Sequence, residues 1–519
     1  MTRTISTLAA AALLCSCAGA PDCADIALPS WGDQGNGTYI NPILNADYSD
    51  PDVTRVGDTY YMVASDFHFM GMQVLKSSDL VNWEFIAQIF DRLDAPGYDT
   101  AERYGAGSWA PSIRYHDGKF YMFVCSPTEG LWMSCAEKAE GPWSKPLLVH
   151  EGTGRGWEDP CPFWDEDGSA YLGRSNRGAG PIIVHRMSPD GTKLLDEGQV
   201  VYQGPVAEGT KIHKWNGYYY FSIPEGGVGG GWQTILRSKS IYGPFERKVV
   251  LETGMSGING PHQGAIVDTP DGKWWFFHFQ RLDAQGRVVH LQPMYWEEDW
   301  PVIGVDIDRN GIGEPVYCWK MPLEGTEPSK PASSDSFDSP QKGLQWQFNH
   351  NPVDGGWSLT ENPGKLTIHA LSSEDFKHAR NTFTQKLMGY QGQALVTMDA
   401  GKMAEGQHCG LAVMGQMNWQ FGLRKAEGRT ELYFGNDDES VILSEEFSLR
   451  KLYLKMVYDV KAPEFHFEYS TDGENFTAFG DSFIAHFGSW KGARPALFCY
   501  STAEEGGCAQ FDDFTLNYN

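Results

Sequence analysis

Apolar and polar residues alternate in short runs through the first part of the chain, and turns with glycine beside aspartate or asparagine separate many of these runs. Five stretches share one pattern: a strand, a tight turn and a second strand with neighbouring aromatic residues. They read VTRVGDTYYMVAS, IRYHDGKFYMFVC, PFWDEDGSAYLGR, KIHKWNGYYYFSI and IVDTPDGKWWFFHF. Because Asp-Gly and Asn-Gly turns are typical of two-residue hairpin loops, the pattern predicts a β-hairpin at each stretch.

The hairpins recur at a regular spacing. One aromatic residue in the second strand of each hairpin aligns them: Tyr61, Tyr121, Tyr171, Tyr220 and Trp275. Successive aligned residues lie 60, 50, 49 and 55 positions apart. A unit that repeats five times at this period predicts a five-bladed β-propeller, in which each blade is a small antiparallel sheet.

A second domain follows the repeats. We place the propeller at residues 36–322 and interpret residues 323–335, which are rich in proline, serine and charge, as a linker. Residues 336–519 again alternate between apolar and polar positions, for example in KLTIHAL and LKMVYDV, but without the propeller period. This texture is typical of a β-sandwich. The fold class predicted for the whole chain is therefore all-β.

The charge of the chain narrows the choice of partners. Its 519 residues include 41 Lys and Arg against 67 Asp and Glu, which gives a net charge of −26. Such a surface repels nucleic acid and suits a neutral ligand, although solubility alone also explains it. We predict neither a nucleic-acid partner nor a protein partner.

The N-terminus has the features of an export signal, which we place at residues 1–20. Arg3 precedes an apolar run from Ile5 to Leu14 that is too short to span a bilayer. The sequence LCSC then resembles a lipoprotein cleavage box with Cys17 as the acylated residue, and a cut near Ala20 is the alternative. We predict a protein exported to the periplasm or cell surface and anchored there by lipid.

Acidic residues recur where the blades begin. The first strand of each blade of a propeller runs along the central channel, so residues at its start share one cavity. Counting back from the aligned aromatic residues reaches, in blade order, Asp50, Trp109, Asp159, Glu208 and His262. A turn-forming role explains each acid singly but does not explain their convergence. Beside Asp50, we interpret Asp47 and Asp52 as loop and solvent residues.

Three carboxyl groups around one axis suit the hydrolysis of a glycoside. One carboxylic acid protonates the leaving oxygen, and one carboxylate activates water or attacks the sugar. A third carboxylate nearby raises the pKa of the acid and keeps its proton in place. Two alternatives remain: a sugar-binding propeller without turnover, and a retaining furanosidase or transferase with an aspartate nucleophile.

Six stretches of the chain resemble glycoside hydrolase family 43, in the order of that family. They are NPILNADYSDPDVTRVGDTYYMVAS, GSWAPSIRYHDGKFYMF, EDPCPFWDEDGSAYL, AEGTKIHKWNGYYY, GPHQGAIVDTPDGKWWFFHF and GRVVHLQPMYWEEDWP. The resemblance covers residues 41–322 and implies an inverting five-bladed propeller enzyme. It implies that Asp50 is the general base, that Glu208 is the general acid, and that Asp159 tunes the pKa of the acid and orients it.

The resemblance also implies other roles around the pocket. His262 matches a central histidine that helps to hold an ion or water beneath the sugar, so a structural calcium ion is the one metal considered, and no cofactor is required. Arg287 matches an arginine that contacts the terminal sugar, and Phe67 and Trp109 match aromatic residues of the pocket wall. The second domain resembles the concanavalin A-like domain of β-xylosidase-type members, which packs on the propeller and can lend a loop to the pocket.

The implied activity is that of an exo-acting glycosidase. We expect it to release terminal α-L-arabinofuranosyl or β-D-xylosyl residues, with arabinofuranose preferred, from the xylan, arabinoxylan or xyloglucan of plant hemicellulose. The partner is then a plant cell-wall oligosaccharide or polysaccharide. A separate carbohydrate-binding role for the sandwich domain is left open.

Overall fold

The computed structural model describes residues 31–152, 156–325, 327–438 and 441–519. The regular elements in these ranges are all β-strands, which confirms the predicted all-β class. Within the same ranges, no helix has the length and apolar character needed to cross a membrane. The predicted signal at residues 1–20, with Cys17, lies outside the described residues.

Five antiparallel sheets of four strands each follow one another along the chain and confirm the predicted five-bladed propeller. Strand β1 (Thr38–Ile40) precedes them. Blade one contains β2 (Ser49–Val56), β3 (Thr59–Ser65), β4 (Gln73–Ser77) and β5 (Glu84–Gln88). Blade two contains β6 (Trp109–His116), β7 (Lys119–Ser126), β8 (Gly130–Ala136) and β9 (Leu147–Glu151). Blade three contains β10 (Trp157–Trp164), β11 (Ala170–Asn176), β12 (Ile182–Met187) and β13 (Gln199–Tyr202).

The last two blades complete the ring. Blade four contains β14 (Lys211–Trp215), β15 (Tyr218–Glu225), β16 (Trp232–Ser238) and β17 (Glu246–Leu251). Blade five contains β18 (Ile266–Asp268), β19 (Trp274–Arg281), β20 (Arg287–Glu297) and β21 (Trp300–Ile303). Strand β22 (Cys318–Lys320) then pairs with β1. The Asn41 side chain donates hydrogen bonds to the carbonyl oxygens of Leu291 and Val316, both at 2.8 Å, and so ties the start of the propeller to its end.

A local break marks the start of the first strand in several blades. Register shifts interrupt the pairing of β2, β6 and β10 with the strands beside them. In every blade, one residue at this point has a left-handed backbone: Asp50 (φ 52°), Ala110 (φ 44°), Asp159 (φ 57°), Gly209 (φ 63°) and Gln263 (φ 36°). Bulges of this kind re-aim side chains and are frequent beside active sites. The left-handed residue therefore defines structurally equivalent positions around the ring.

This alignment differs by one residue from the count based on aromatic residues. Glu208 and His262 were counted as the equivalents of Asp50 and Asp159, but they lie immediately before the left-handed residue of their blades. In blade three, Glu158 lies at that position. The left-handed residue precedes the aligned aromatic residue by 11 or 12 positions in every blade, so it is the more regular marker.

The β-sandwich consists of two large sheets. The strands of the first run in the order β23 (Gln347–Phe348), β27 (Phe383–Thr384), β36 (Arg494–Ser501), β29 (Gln407–Met414), β30 (Trp419–Ala426), β31 (Arg429–Asn436) and β32 (Val441–Glu446), with β26 (Leu371–Ser372) beside β36. Those of the second run in the order β24 (Trp357–Ser358), β25 (Leu366–His369), β37 (Cys508–Tyr518), β28 (Gln391–Asp399), β33 (Lys451–Asp459), β34 (Glu464–Ser470) and β35 (Thr477–Ala478). Aromatic pairs such as Phe421 and Phe467, with ring centroids 5.2 Å apart, fill the core between the sheets.

The sandwich packs directly on the propeller. The backbones of Met70 and Phe348 exchange hydrogen bonds of 2.9 and 3.0 Å across the boundary. Beside them, the Nζ atom of Lys386 lies 3.1 Å from Oδ1 of Asp66, and both side chains are buried. Burial lowers the pKa of Lys386 to about 7, and the negative charge of Asp66 opposes that shift. The two domains thus share a buried polar interface.

Asp47 lies in a loop, as interpreted, and Asp52 lies in β2, but both side chains are buried, so their interpretation as solvent residues was wrong. Asp52 accepts a hydrogen bond of 2.8 Å from the backbone N–H of Ile113 and pairs with the guanidinium of Arg114. Asp47 lies 3.1 Å from the Nζ atom of Lys491 in the sandwich domain. Buried carboxylates need such partners, and both partners are distant in sequence.

Candidate active site

A cavity of about 410 Å³ opens at the propeller axis. All seven residues predicted for the site line it: Asp50, Phe67, Trp109, Asp159, Glu208, His262 and Arg287. Their convergence follows from the ring, because each blade begins its first strand at the same end of the channel. The volume is in the range of small-molecule binding pockets.

Asp50 is held by three donors. Its Oδ2 atom accepts hydrogen bonds from the hydroxyl groups of Ser49 at 2.9 Å and Ser65 at 2.6 Å. The Nη1 atom of Arg287 donates to Oδ1 at 3.2 Å and to the Ser49 hydroxyl at 2.8 Å. Ser49 and Asp50 are neighbours on the bulge of β2, so the bulge itself fixes the carboxylate. Asp50 is a carboxylate of fixed orientation in the pocket wall, as a group that activates water must be.

Glu208 and His262 form a second polar pair. The Nε2 atom of His262 lies 3.0 Å from Oε1 of Glu208. The side chain of Glu208 is 19% exposed, against 7% for Asp50, so Glu208 is the more open of these two carboxyl groups. The other ring nitrogen of His262, Nδ1, is buried and has no hydrogen-bond partner within the described part of the chain. Calcium takes six to eight oxygen ligands, so this lone nitrogen does not make a direct calcium site.

Asp159 lies deeper and organises the segment that carries Glu208. Its Oδ2 atom accepts hydrogen bonds from the Ser175 hydroxyl at 2.9 Å and from the backbone N–H of Gly209 at 2.8 Å. Its Oδ1 atom accepts one from Gln263 at 3.2 Å. Burial, followed by the negative charge of Glu208, raises the pKa of Asp159 to about 6. The protonation of Asp159 therefore responds to the negative charge of Glu208.

A fourth carboxyl group at this site, that of Glu158, was not predicted from the sequence. Its oxygens accept hydrogen bonds from the backbone N–H groups of Ala179 at 2.9 Å and Gly178 at 3.3 Å. One carboxyl oxygen from each of Glu158, Asp159 and Glu208 lies within 4.8 Å of the other two. Burial and the negative charge of Asp159 raise the pKa of Glu158 to about 9, and its two backbone hydrogen bonds oppose the shift. The feature that marks Glu158 is its position directly before the left-handed residue of its blade. Glu208 occupies the same position in blade four.

Aromatic rings from both domains wall the pocket. The rings of Phe67 and Trp109 meet edge to face at 5.4 Å between centroids, and Trp490 of the sandwich domain meets Trp109 at 5.7 Å. The guanidinium of Arg177 lies 5.5 Å from the Trp109 ring. Nothing in the sequence distinguished Trp490. Flat apolar walls around fixed carboxyl groups suit a sugar ring, which has apolar faces and a hydroxyl-bearing edge.

Two family models match the chain. "Glycosyl hydrolases family 43" matches residues 39–301, and "Beta xylosidase C-terminal Concanavalin A-like domain" matches residues 334–517. A propeller with acidic residues around its axis, followed by this second domain, defines an enzyme that cleaves glycosidic bonds. The chain belongs to glycosyl hydrolases family 43.

Similarity to individual proteins supports this family assignment. The chain is 52% identical over 476 residues to the "Putative beta-xylosidase" of Xylanibacter ruminicola, covering 91% of this chain and 88% of the relative. It is 31% identical over 353 residues to the non-reducing end alpha-L-arabinofuranosidase BoGH43B of Bacteroides ovatus, covering 64% of this chain and 65% of the relative. The crystal structure of the GH43 BlXynB protein from Bacillus licheniformis superposes with a TM-score of 0.80 at 27% identity, covering 92% and 99% of the two chains. This last likeness extends through both domains.

Proposed function

We propose that this protein removes non-reducing terminal β-D-xylosyl or α-L-arabinofuranosyl residues from hemicellulose oligosaccharides, by an inverting mechanism. The observation that carries the proposal is the axial pocket in which Asp50, Asp159 and Glu208 converge. A pocket at one end of the axis, walled by aromatic rings, suits the end of a sugar chain. The names of the relatives support the substrate class.

The roles of the carboxyl groups follow from their surroundings. Glu208, the more open group, gives its proton to the oxygen that leaves with the rest of the chain. Asp50, held by Arg287 and two serine hydroxyls, takes a proton from the water that attacks the anomeric carbon. The bond between that carbon and the leaving oxygen breaks as the new bond forms, which inverts the configuration.

Asp159 makes Glu208 a better acid catalyst in two ways. A negative charge beside a carboxylic acid disfavours its ionisation, and this is the role that the family resemblance gives to Asp159. Its hydrogen bond to the backbone N–H of Gly209 holds the chain directly after Glu208. Asp159 is thus proposed as a positioning residue that also tunes protonation.

The relatives give two candidate sugars. The printed name of the Xylanibacter ruminicola relative favours β-D-xylose, and its alignment covers most of both chains. The name of the Bacteroides ovatus relative favours α-L-arabinofuranose, over a shorter alignment. We therefore place xylose first and arabinofuranose second, which reverses the preference stated from the sequence alone.

Aryl glycosides of both pentoses, assayed with the wild type and Glu208→Gln, test this proposal. We expect the wild type to release at least one pentose, and the variant to lose most of its activity on pentosides with a poor leaving group, whose departing oxygen must be protonated. Proton NMR of the first product then separates the mechanisms, since an inverting enzyme releases the anomer opposite to the substrate. Retention of configuration would support the alternative with an aspartate nucleophile. Binding without release from any pentoside would support a sugar-binding propeller.

We also propose that the protein is exported and carries lipid at Cys17. This rests on the short apolar run and the LCSC sequence near the start of the chain. A hydrolase of external polysaccharide acts outside the cytoplasm, so this location agrees with the proposed substrate.

A further inference from the structure

A second cavity of about 560 Å³ lies in the sandwich domain where it meets the propeller, and we name it the distal cavity. Its lining includes Tyr104 of the propeller and Gln420, Arg424, Tyr433, Asp437 and Tyr500 of the sandwich. The sandwich residues lie on or beside β30, β31 and β36, on the face of the larger sheet that is turned away from the sandwich core. The distal cavity takes no part in the chemistry proposed above.

The floor of the distal cavity combines aromatic rings with one amide. The His408 ring stacks on Tyr500 with centroids 5.0 Å apart and meets the edge of Tyr433 at 5.3 Å. Both tyrosine hydroxyls donate to Oε1 of Gln420, Tyr433 at 3.2 Å and Tyr500 at 3.1 Å. The amide oxygen of Gln420 therefore accepts two hydrogen bonds from the floor of the cavity. These bonds fix the direction in which the amide nitrogen points.

That nitrogen is left for a ligand. Gln420 is only 7% exposed, and within the described part of the chain its Nε2 atom has no hydrogen-bond partner. Solvent reaches this nitrogen from the cavity, so an acceptor on a ligand that enters the distal cavity takes the place of water at this donor. Nearby, Asp437 offers a carboxylate that already accepts a backbone hydrogen bond of 2.8 Å from Asn418. The cavity thus presents a donor and an acceptor above an aromatic floor.

The charges around the distal cavity are largely paired within the chain. Arg424 donates to Glu431 at 3.0 Å, and the Nζ atom of Lys377 lies 3.0 Å from a carboxylate oxygen of Glu102. Two further acids at the rim, Glu374 and Asp375, contact His378. Paired charges do not favour a phosphate or another strongly charged ligand. A neutral ligand rich in hydroxyl groups fits this lining better.

One wall separates the distal cavity from the active-site pocket. Ser489 lines the distal cavity, and the next residue, Trp490, lines the pocket. Both residues have left-handed backbones, with φ of 49° and 67°. On the propeller side, the Tyr104 hydroxyl donates to the Lys377 carbonyl at 2.7 Å. Left-handed backbone at non-glycine residues is costly and concentrates at functional sites. The two residues therefore indicate that the conformation of this wall is fixed and has a function.

We propose that the distal cavity is a remote subsite that binds neutral sugar units of the same hemicellulose chain whose terminal sugar occupies the active-site pocket. This inference rests on the proposed function. A substrate that reaches over the wall gains the free Gln420 donor and the aromatic floor. A short substrate that fills only the pocket does not. The structure therefore predicts that affinity depends on chain length.

Two variants test the inference by different means. Gln420→Leu removes the free donor, and Thr502→Trp places a large ring at an exposed residue of the cavity rim without changing the floor. Gln393→Leu, an amide replacement on the other sheet, is the matched control. The assay compares KM for xylo-oligosaccharides of increasing length with KM for an aryl pentoside.

We expect both test variants to raise KM for long oligosaccharides about 3- to 10-fold, the effect of one or two neutral hydrogen bonds. KM for the aryl pentoside and all values for Gln393→Leu should stay within about twofold of the wild type. If Thr502→Trp leaves the dependence on chain length unchanged, the distal cavity is not a subsite, even where Gln420→Leu fails to fold. Failure of the proposed function is distinct, because the wild type would then cleave no pentoside. In that event, calorimetric titration with xylo-oligosaccharides compares the affinities of the wild type and Thr502→Trp. Equal affinities would overturn the inference, and weaker binding by the variant would support it.

Discussion

His262 and Glu208 lie within hydrogen-bond distance, with Nε2 of the histidine 3.0 Å from Oε1 of the glutamate. They come from adjacent blades, and both sit immediately before the left-handed residue of their blade. The contact therefore spans a blade boundary and depends on the closure of the ring. Glu208 itself lines the pocket.

Replacement of Glu208 separates acid catalysis from the other roles. Glu208→Ala should lower kcat/KM on natural oligosaccharides by about 10²–10⁴-fold, the usual contribution of a general acid. An aryl pentoside with a very good leaving group needs little protonation, so its loss should be much smaller. Asp50→Ala is the comparison. It should lower kcat/KM on both substrates, because water must be activated in both reactions. Equal losses on both substrates in Glu208→Ala would contradict the acid role.

The buried Glu158 should make the protein less stable as the pH rises. Its pKa is about 9 in the folded state and near the ordinary glutamic acid value of 4.5 when unfolded, so the folded state keeps a proton that the unfolded state loses. Between about pH 5 and 9 the free energy of unfolding should therefore fall with pH. Glu158→Gln, which mimics the protonated group, should weaken that fall and raise Tm at pH 8.

Thermal unfolding across this pH range measures the effect of Glu158. Glu504→Gln, at an exposed position of the sandwich domain, is the control and should follow the wild type. Parallel Tm curves for wild type and Glu158→Gln would show that Glu158 is ionised in the folded state at neutral pH. The assignment of a protonated group in the pocket would then be withdrawn.

Trp490 tests the contribution of the second domain to substrate binding. Its ring meets Trp109, and the Arg287 guanidinium lies 5.9 Å from the centre of the ring. Trp490→Ala should raise KM for pentosides by roughly tenfold, as expected for the loss of an aromatic contact surface, with kcat changed much less. Because the side chain is 43% exposed, Tm should change little. An unaltered KM would remove Trp490 from the substrate-binding wall.

The lipid anchor is tested in cells. Labelled palmitate should enter the wild type but not Cys17→Ala, and globomycin should cause the uncleaved precursor of the wild type to accumulate. Cys125→Ala, at a buried cysteine of blade two, serves as a control that should still be labelled. Normal labelling of Cys17→Ala would refute acylation at Cys17, whereas a wild type without label would favour cleavage near Ala20.

The propeller could be predicted because its information is local and repeated. Each hairpin carries its own turn residues and at least one aromatic residue in its second strand, so five weak signals at one period reinforce one another. The convergence of Asp50, Asp159 and Glu208 followed from the same repeat. Their placement did not require knowledge of any contact distant in sequence.

Other parts of the site depend on features that a count of residues does not contain. Glu158 was missed because the left-handed residue, not the aromatic one, sets the equivalent positions. Asp47 was misread because its ion-pair partner, Lys491, belongs to the other domain. Trp490 was not singled out for the same reason. The pattern of a strand predicts which face is buried, but it does not predict which distant segment covers that face.

The ion pairs between the domains restrict how this architecture can be rearranged by recombination. A propeller separated from its sandwich would leave Asp47 and Asp66 without Lys491 and Lys386, and would expose the apolar surface beside them. It would also lose Trp490 from the wall of its pocket. Gene fusions that add modules at either end leave these contacts in place, whereas an exchange of the sandwich alone must supply matching cations and an aromatic residue. Loss of the sandwich would therefore change the active-site pocket itself.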